Sequence, residues 1–213
     1  MKNKMTCYIF GAGEYYGDPP ALSDADLVIA ADGGYDYLLR HGLRADLVIG
    51  DFDSLSEPPK HDNVRVLPME KDNTDMRAAI QTGLNYGCGI FHICGGTGGR
   101  LDHTLANIQC LAELAGRGAR GFLHGRDTVI TAIQNAKISF SKGNFGTISV
   151  FSHSDISLGV YENGLKYPLS DATLHNTYPL GISNEFCSAP ASIEVRSGTL
   201  IIIYPKNTQE DNQ

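Results

Sequence analysis

The chain has 213 residues, of which 42% are hydrophobic and 19% charged, and its 24 acidic side chains outnumber its 17 basic ones. This composition is that of a folded globular protein, and a formal charge of −7 disfavours binding to a nucleic acid backbone. No apolar run approaches the roughly 20 residues that a membrane helix needs, and the first residues lack the pattern of a secretory signal. We therefore expect neither a nucleic acid nor a membrane partner.

The cysteines indicate a reducing compartment. Their number, five, is odd, and no two of them have the C-x-x-C spacing of a zinc or redox site. Buried thiols in a reducing cytoplasm are the simplest interpretation. We therefore expect a cytoplasmic protein.

The first half of the chain alternates short apolar runs with helical patterns. The runs lack the in/out alternation of half-exposed strands, which is typical of strands buried on both faces. They cover residues 7–10, 27–31, 47–49, 64–67 and 90–94. Apolar residues at steps of three and four predict helices over 72–86 and 102–116, and a shorter helix over 35–41 precedes Gly42. This alternation predicts an α/β domain with a mostly parallel sheet.

From about Thr128 the pattern changes to closely spaced strands separated by turn residues. Apolar residues alternate at 156, 158 and 160 and again at 193 and 195. Apolar runs at 138–140, 147–151 and 200–204 predict further strands. Such spacing favours a small antiparallel sandwich or barrel, with the boundary near residues 126–136. The polar tail from Pro205 onwards is expected to fray.

Two aspartates follow the apolar run 47–49. Asp51 and Asp53 leave the predicted strand at positions i and i+2. Ligands of a parallel sheet bind at the carboxyl ends of its strands, and carboxylate oxygens suit a hard cation such as Mg²⁺. The alternative is a turn in which Asp and Ser side chains bond the local backbone. This motif alone leaves both interpretations open.

A polar segment, residues 71–75, precedes the second predicted helix. Asp, Asn and Thr are preferred helix caps, so one of these residues is expected to cap the helix. A cap does not need Lys71 together with two acids. Asp75 is therefore also a candidate third carboxylate for a metal, and Lys71 a candidate phosphate contact.

A glycine-rich loop, residues 95–99, lies between a predicted strand and a predicted helix. Its four glycines let the backbone approach a ligand closely, and N–H groups at a helix start suit phosphate. Arg100 is a candidate phosphate ligand because a guanidinium forks onto two oxygens. Asp102 stands in a capping position, and His103 is a candidate base or a surface histidine.

Residues 11–17 nearly match the dinucleotide fingerprint G-x-G-x-x-G. The third glycine comes one residue late, and two prolines stand at 19–20, where the helix would run. Asp32 lies about 20 residues further on, as a ligand to the ribose of NAD would. A plain glycine-rich turn is the better interpretation, which leaves Asp32 as another acid at a strand end.

Taken together, these motifs resemble the thiamine pyrophosphokinase (thiamine diphosphokinase) family over nearly the whole chain. The matching segments are 31–34, 50–54, 72–75, 95–103 with Asn107, 164–169 and 182–186. Each motif is modest, and their order and joint presence are specific. The resemblance implies a Rossmann-like α/β catalytic nucleotide-binding domain over residues 1–130. A C-terminal antiparallel β-sandwich that binds thiamine would follow over residues 131–213.

The resemblance also implies an activity. It indicates a Mg²⁺-dependent transferase that moves the pyrophosphoryl group of ATP to the hydroxyl of thiamine, giving thiamine diphosphate and AMP. It implies a homodimer with active sites between its subunits. Pyrophosphoryl transfer needs charge stabilisation more than covalent catalysis, which agrees with the acidic and basic residues in the motifs.

The roles of individual residues follow from their places in the family's motifs. The implied magnesium ligands are Asp51, Asp53 and Asp75, and these residues form the catalytic set together with Arg100 and Asp102. The implied ATP-binding set is Asp32, Lys71, Asp72, Thr74, Gly95, Gly96, Thr97, Gly98 and Gly99. The implied thiamine contacts are Asp102, Ser183 and Asn184. Positioning the thiamine hydroxyl suits Asp102 better than acting as a base, because a carboxylate with a pKa of ~3.9 is a weak base.

The sequence departs from the family pattern in two places. Some relatives cover the thiamine ring with tryptophan, and this chain has none. Tyr167, Tyr178 or Phe186 would take that place. Met76 and Arg77 replace a more acidic stretch, so the local charge differs there.

Two other functions remain as alternatives. An NAD(P)-dependent oxidoreductase would use residues 11–17 and Asp32, and it would leave Asp51, Asp53 and Asp75 without a role. A non-catalytic module that senses a nucleotide or thiamine would bind both ligands without releasing AMP.

Overall fold

The computed structural model describes residues 5–52, 59–68 and 74–211. The chain divides into two compact units, residues 1–110 with 121–125 and residues 111–120 with 126–213. Within the described ranges, no helix is both long and apolar enough to cross a lipid bilayer.

The first unit is built on a mostly parallel sheet, as the apolar runs predict. Its strands are β1 (Met5–Phe10), β2 (Leu27–Ala31), β3 (Leu47–Gly50), β4 (Val64–Val66), β5 (Cys88–Cys94) and β6 (Arg120–His124). They lie in the order β6-β5-β1-β2-β3-β4. β1 pairs in parallel with β2 and β5, and β3 pairs in parallel with β2 and β4. The predicted strands are confirmed, and β6 is an addition to them.

The predicted helices are also confirmed, with small shifts at their ends. They are α1 (Gly34–Arg40), α2 (Asp75–Asn85) and α3 (Leu101–Gly116). α2 buries Met76, Ala79, Ile80 and Gly83, the positions that recur at steps of three and four. These apolar residues pack on the sheet because one face of the helix carries them all.

The second unit is an antiparallel β-sandwich. Its strands are β7 (Thr128–Gln134), β8 (Lys137–Phe140), β9 (Thr147–Ser152), β10 (Ile156–Asn163), β11 (Leu169–His175), β12 (Gly181–Glu185), β13 (Ala191–Ser197) and β14 (Thr199–Pro205). They form two layers, in the orders β12-β9-β14-β7 and β11-β10-β13-β8, paired antiparallel throughout. Phe140 on β8 meets Tyr204 on β14 edge to face at 5.3 Å between ring centroids, so aromatic rings fill the space between the layers.

The tail after β14 is held by hydrogen bonds as far as Asp211, so the expectation that it frays is wrong for these residues. The backbone N–H of Asp211 donates to the carbonyl of Ser139, and that of Ser141 donates to the carbonyl of Gln209, both at 3.0 Å. The side chain of Asn144 adds further bonds to Gln209. Polar residues at a chain end stay ordered here because β8 and the following turn satisfy their backbone groups.

Parallel pairing brings the carboxyl ends of β1, β2, β3 and β5 to one edge of the first unit's sheet. Asp32 directly follows β2, and Phe52 lies two residues beyond β3. Both have left-handed backbones, with φ of +50° and +54°. Such conformations cost a non-glycine residue free energy and concentrate at functional sites, so this edge is where a site is expected.

Candidate active site

Two glycine-containing loops cross backbone to backbone at this edge. The N–H of Gly11 donates to the carbonyl of Cys94 at 2.8 Å, and the N–H of Gly13 donates to that of Gly95 at 2.7 Å. A Cβ on Gly11 or Gly13 would lie 2.7 or 2.6 Å from the Gly95 carbonyl oxygen. Glycine is therefore required by the close approach of the two loops, which accounts for the near match to a dinucleotide fingerprint.

The loops border a cavity of about 550 Å³. Predicted site residues in its lining are Asp32, Thr74, Asp75, Gly95, Gly96, Gly98, Gly99 and Arg100. Residues 11–13, His103 and Asn107 line it too. The volume and the place at the strand ends suit a small-molecule ligand.

Carboxylates lie at or near the cavity, after β2 and β3 and at the start of α2. The N–H of Asp32 donates to the carbonyl of Ile49 on β3 at 2.8 Å, so Asp32 lies beside the strand that leads to Asp51. Asp75 begins α2 and lines the cavity with Asp32, whereas Asp51 is half-buried and outside its lining. Asp53 lies outside the described residues.

These carboxylates fit a hard cation by the chemistry of their donor atoms, since carboxylate oxygens are the ligands that Mg²⁺ takes from proteins. Within the described ranges, no group of three or more His, Cys, Asp or Glu side chains is placed to hold a metal ion. The predicted set of Asp51, Asp53 and Asp75 therefore stays a prediction.

Thr74 caps α2 and lines the cavity at the same time. Its Oγ1 accepts a hydrogen bond from the N–H of Arg77 at 3.2 Å, which confirms that a polar residue of the 71–75 segment is the helix cap. Lys71 and Asp72, both predicted to contact ATP, lie outside the described residues.

The glycine-rich loop has a backbone that other residues adopt only with strain. Gly95, Gly98 and Gly99 have φ of +65°, +81° and +60°. Buried Asn107 on α3 holds the loop, because its Nδ2 donates to the carbonyl of Gly96 at 2.7 Å. Thr97 is turned to the interior, where its hydroxyl donates to the carbonyl of His124 at 3.4 Å, and it is not part of the cavity lining.

An acidic residue that sequence analysis missed reaches this loop. Glu14 accepts hydrogen bonds from the N–H of Gly99 at 3.2 Å and from the hydroxyl of Tyr16 at 2.8 Å. One of the N–H groups predicted to bind phosphate therefore already contacts a carboxylate. Glu14 lies 85 positions before Gly99, and no local pattern marks it.

Arg100 and Asp102 contact each other in a two-pronged ion pair. Nη2 of Arg100 donates to Oδ2 of Asp102 at 2.6 Å and Nε donates to Oδ1 at 3.2 Å. This hydrogen bonding lowers the pKa of Asp102, and the N–H of His103 contributes in the same direction. The pair also raises the pKa of Arg100. Both side chains are exposed, so a ligand can reach them.

The predicted thiamine residues lie on β12 in the second unit. The pairing of β12 with β9 shifts register between Gly181 and Asn184, and Ser183 has a φ of +59°. Ser183 is exposed, whereas Asn184 is buried, with its Nδ2 donating to the carbonyl of Tyr167 at 2.7 Å. A bulge of this kind re-aims a side chain, and here it leaves Ser183 facing solvent.

The aromatic candidates for covering a thiamine ring differ in exposure. Phe186 is buried and meets Phe140 edge to face at 5.3 Å. Tyr167 and Tyr178 are 57% and 64% exposed. Of this set, the two tyrosines are therefore accessible to a ligand, although Nζ of Lys166 lies over the ring of Tyr167 at 5.3 Å from its centroid.

The fold and the cavity define an α/β unit with a small-molecule site at the carboxyl ends of its parallel strands, followed by an antiparallel β-sandwich. Residues 19–123 match the family model of the thiamin pyrophosphokinase catalytic domain. Residues 135–200 match the model of the thiamin pyrophosphokinase vitamin B1 binding domain. The chain belongs to the thiamine pyrophosphokinase family, a family of enzymes.

Individual relatives agree with this assignment. The thiamine pyrophosphokinase of Bacillus subtilis is 30% identical over 184 residues, which cover 83% of this chain and 86% of that protein. A crystal structure of the Bacillus subtilis enzyme superposes with a TM-score of 0.82 at 28% identity, covering 95% of this chain and 99% of that one. A structure from Geobacillus thermodenitrificans gives 0.80 at 26% identity, with coverage of 95% and 98%.

Proposed function

We propose that the chain is a thiamine diphosphokinase, which transfers the pyrophosphoryl group of Mg-ATP to the hydroxyl of thiamine and yields thiamine diphosphate and AMP. The observation that carries the proposal is the cavity at the strand ends, where a glycine-rich loop, an arginine and carboxylates meet. The match of the second unit to a vitamin B1 binding domain supports thiamine as the acceptor.

The first unit supplies groups for the triphosphate. Four of the five residues from Gly95 to Gly99 are glycines, so their backbone N–H groups can approach a phosphate closely. The guanidinium of Arg100 can donate two hydrogen bonds to phosphate oxygens. Lys71, Asp72, Thr74 and Asp32 complete the proposed ATP set. The donors of this set, which are the loop N–H groups, Arg100, Lys71 and Thr74, would bind the phosphate oxygens and hold the β-phosphorus in place for attack.

Asp51, Asp53 and Asp75 would hold Mg²⁺, with Asp32 in the same acidic site. When bound, the ion supplies positive charge that neutralises the phosphate oxygens as charge develops on them. The carboxylates would supply oxygen ligands to the ion. Two of these residues, Asp51 and Asp75, are in the described part of the chain.

Thiamine would bind to Ser183 and Asn184 of the second unit, and Asp102 would accept a hydrogen bond from its hydroxyl. The lowered pKa of Asp102 supports a positioning role, because an ionised carboxylate of low pKa is a weak base. The thiamine oxygen would form a bond to the β-phosphorus and lose its proton to solvent. The bond between the β-phosphorus and the oxygen that bridges it to the α-phosphate would break, and AMP would leave with that oxygen.

We further propose a cytoplasmic homodimer with its active sites between subunits. Leu101 and Leu105, one turn apart on α3, are 72% and 56% exposed. Such a pair beside the cavity-lining residues Arg100 and Ala106 supports contact with a second subunit at the site. Sedimentation of the protein with and without Leu105→Glu tests this, and an unchanged mass would contradict it.

The function is tested by incubating the purified protein with ATP, thiamine and Mg²⁺ and separating the products by chromatography. Equal amounts of AMP and thiamine diphosphate are expected. ADP with thiamine monophosphate would overturn the attack on the β-phosphorus. Folded protein that binds ATP and thiamine without releasing AMP would instead be a binding module.

A further inference from the structure

A buried carboxyl group lies one hydrogen bond away from Asn184. Glu162, on β10, is 0% exposed, and its Oε2 accepts a hydrogen bond from Nδ2 of Asn184 at 2.7 Å. Its Oε1 is buried and accepts no hydrogen bond from any residue that the structure describes. Burial raises the pKa of this carboxyl group, and the bond from Asn184 opposes the rise.

A buried glutamate at position 162 is energetically unfavourable. Burying a carboxyl group costs free energy, and an oxygen left without a donor increases the cost. Gly181 makes room for the group, since a Cβ there would lie 3.1 Å from Oε1. An apolar residue would fill the same volume at lower cost, so the acceptor that Glu162 presents to Asn184 is the feature that needs an explanation.

Asn184 uses its whole side chain to join two segments. Its Oδ1 accepts from the N–H groups of Tyr167 and Glu185, each at 2.9 Å. Its Nδ2 donates to the carbonyl of Tyr167 and to Glu162, each at 2.7 Å. The donors and acceptors of the amide are therefore all engaged, and Glu162 fixes the one amide hydrogen that the backbone of Tyr167 does not take.

We propose that Glu162 is a positioning residue of the thiamine site, which holds the Asn184 amide and thereby fixes Tyr167 and the bulge that presents Ser183. The inference rests on the proposed function, in which thiamine binds at Ser183 and Asn184. Because the Asn184 amide is fully engaged, Asn184 would contribute by shaping the site around Ser183. Ser183 has a left-handed φ of +59° directly before Asn184. Such a backbone persists only where its neighbours hold it in place, and the anchored amide provides that restraint.

Three variants and a matched control test the inference. Glu162→Gln keeps an oxygen acceptor in a neutral group of the same shape, Glu162→Leu removes the acceptor, and Glu162→Asp withdraws it by one methylene. Ser157→Ala is the control, because Ser157 is a fully buried residue of the same strand that bonds Ser152 at 2.8 Å. The KM and kcat are measured for thiamine and for ATP, together with the Tm of each variant.

The expected result separates positioning from stability. Glu162→Leu and Glu162→Asp raise the KM for thiamine about tenfold, the effect of one lost buried hydrogen bond, and leave the KM for ATP within about twofold. Glu162→Gln keeps the wild-type KM for thiamine, because its side-chain oxygen still accepts the hydrogen bond. Ser157→Ala lowers the Tm without changing that KM.

Two results would overturn the inference while leaving the proposed function intact. One is wild-type turnover with an unchanged KM for thiamine in Glu162→Asp. The other is a parallel rise of the KM in Ser157→Ala, which would make the effect a general loss of stability. Absence of thiamine diphosphate from the wild-type reaction would defeat the proposed function, and the inference with it. Glu162→Asp retains a carboxyl group, so the test remains decisive if Glu162→Leu does not fold.

Discussion

The backbone N–H of Gly99 donates to the side-chain carboxylate of Glu14. The bond links the loop after β1 to the start of α3, and it places a negative charge next to N–H groups proposed to bind triphosphate. A phosphate oxygen that approaches Gly99 must displace this carboxylate or meet its repulsion.

We therefore expect Glu14→Gln to lower the KM for ATP by up to about fivefold, since an exposed charge interaction is worth about 0.2–1 kcal/mol. The effect should diminish at high salt because the charges are screened. Steady-state kinetics at low and high ionic strength measure both. Glu113→Gln is the matched control, since Glu113 pairs with Arg117 and lies outside the cavity lining. A higher KM for ATP in Glu14→Gln would show that Glu14 supports nucleotide binding instead.

The ion pair of Arg100 with Asp102 predicts a titration. In Arg100→Gln the pKa of Asp102 should rise towards the usual carboxyl range, because the largest cause of its lowered value, the hydrogen bonding from Arg100, is lost. In the wild type, the pKa of Asp102 is lowered, so Asp102 takes up its proton at a lower pH than an ordinary aspartate does. Carboxyl-carbon NMR measures both titrations.

Asp36→Asn is the control for assigning the carboxyl signals in those spectra, because Asp36 is an exposed aspartate on α1. An unchanged Asp102 titration in Arg100→Gln would mean that the ion pair is not maintained in solution. If kcat falls at acidic pH, and the pH of that fall shifts together with the pKa of Asp102 in Arg100→Gln, then Asp102 acts as a base.

Much of this architecture was predictable because its signals are local. The parallel strands β1, β2, β3 and β5 were found because burial on both faces makes their residues mostly apolar. β4 was found from its two valines, although Val64 is only half-buried and Val66 is exposed. Strands β11 and β12 were not found. Four of the seven residues of β11 are exposed, and β12 buries Gly181 and Asn184 in place of large apolar side chains, so neither has an apolar pattern. On β10, Leu158 is 44% exposed while Val160 is buried, since a glycine with φ of +64° at position 159 and a register shift towards β11 interrupt the alternation.

The site, like the fold, contains residues that local sequence patterns predict and residues that they do not. The places of Asp32 and the glycine-rich loop at the cavity were predictable because the carboxyl ends of parallel strands meet at one edge. Asp51 follows β3 at the same edge, outside the cavity lining, and its role stays a prediction. Glu14 and Glu162 were not predictable, because each acts through a contact with a distant segment. A glutamate is normally a solvent-exposed residue, and only the packed sandwich shows that Glu162 is buried.

The crossing of the two loops predicts a steric penalty at Gly13. Gly13→Ala should lower the free energy of unfolding by about 1–3 kcal/mol, because its Cβ would lie 2.6 Å from the carbonyl oxygens of Gly95 and Thr97. Chemical denaturation measures the change. Gly118→Ala is the control: it has a φ of +71° with no atom within 4 Å of an added Cβ. It therefore tests backbone strain alone. Equal stability of Gly13→Ala and wild type would show that the loops separate easily.

The proposed metal ligands predict a loss of turnover with the fold intact. Asp51→Asn and Asp75→Asn should each lower kcat by about two orders of magnitude or more at limiting Mg²⁺, because an amide is a poorer ligand than a carboxylate for a hard cation. Product chromatography measures turnover, and circular dichroism checks the fold. Asp36→Asn removes the same charge from an exposed site outside the cavity lining and should keep the wild-type rate. Near-wild-type turnover in both variants would exclude these aspartates as magnesium ligands.

The ordered tail predicts a coupled loss of stability. Asn144 is buried, and its side chain donates to the carbonyl of Gln209 at 2.9 Å and accepts from its N–H at 2.8 Å. Asn144→Ala and deletion of residues 207–213 should each lower the free energy of unfolding by about 1–3 kcal/mol, because both leave buried polar groups without partners.

The two changes should also be non-additive, since they remove the same hydrogen bonds. In the shortened chain, Asn144→Ala should lower the free energy of unfolding by less than it does in the full chain. After the deletion only the bond to the carbonyl of Ser141 is left to lose, because the bonds to Gln209 are already gone. A double-mutant cycle by chemical denaturation measures the coupling. Fully additive losses would mean that the tail is released in solution and that Asn144 stabilises only its own turn.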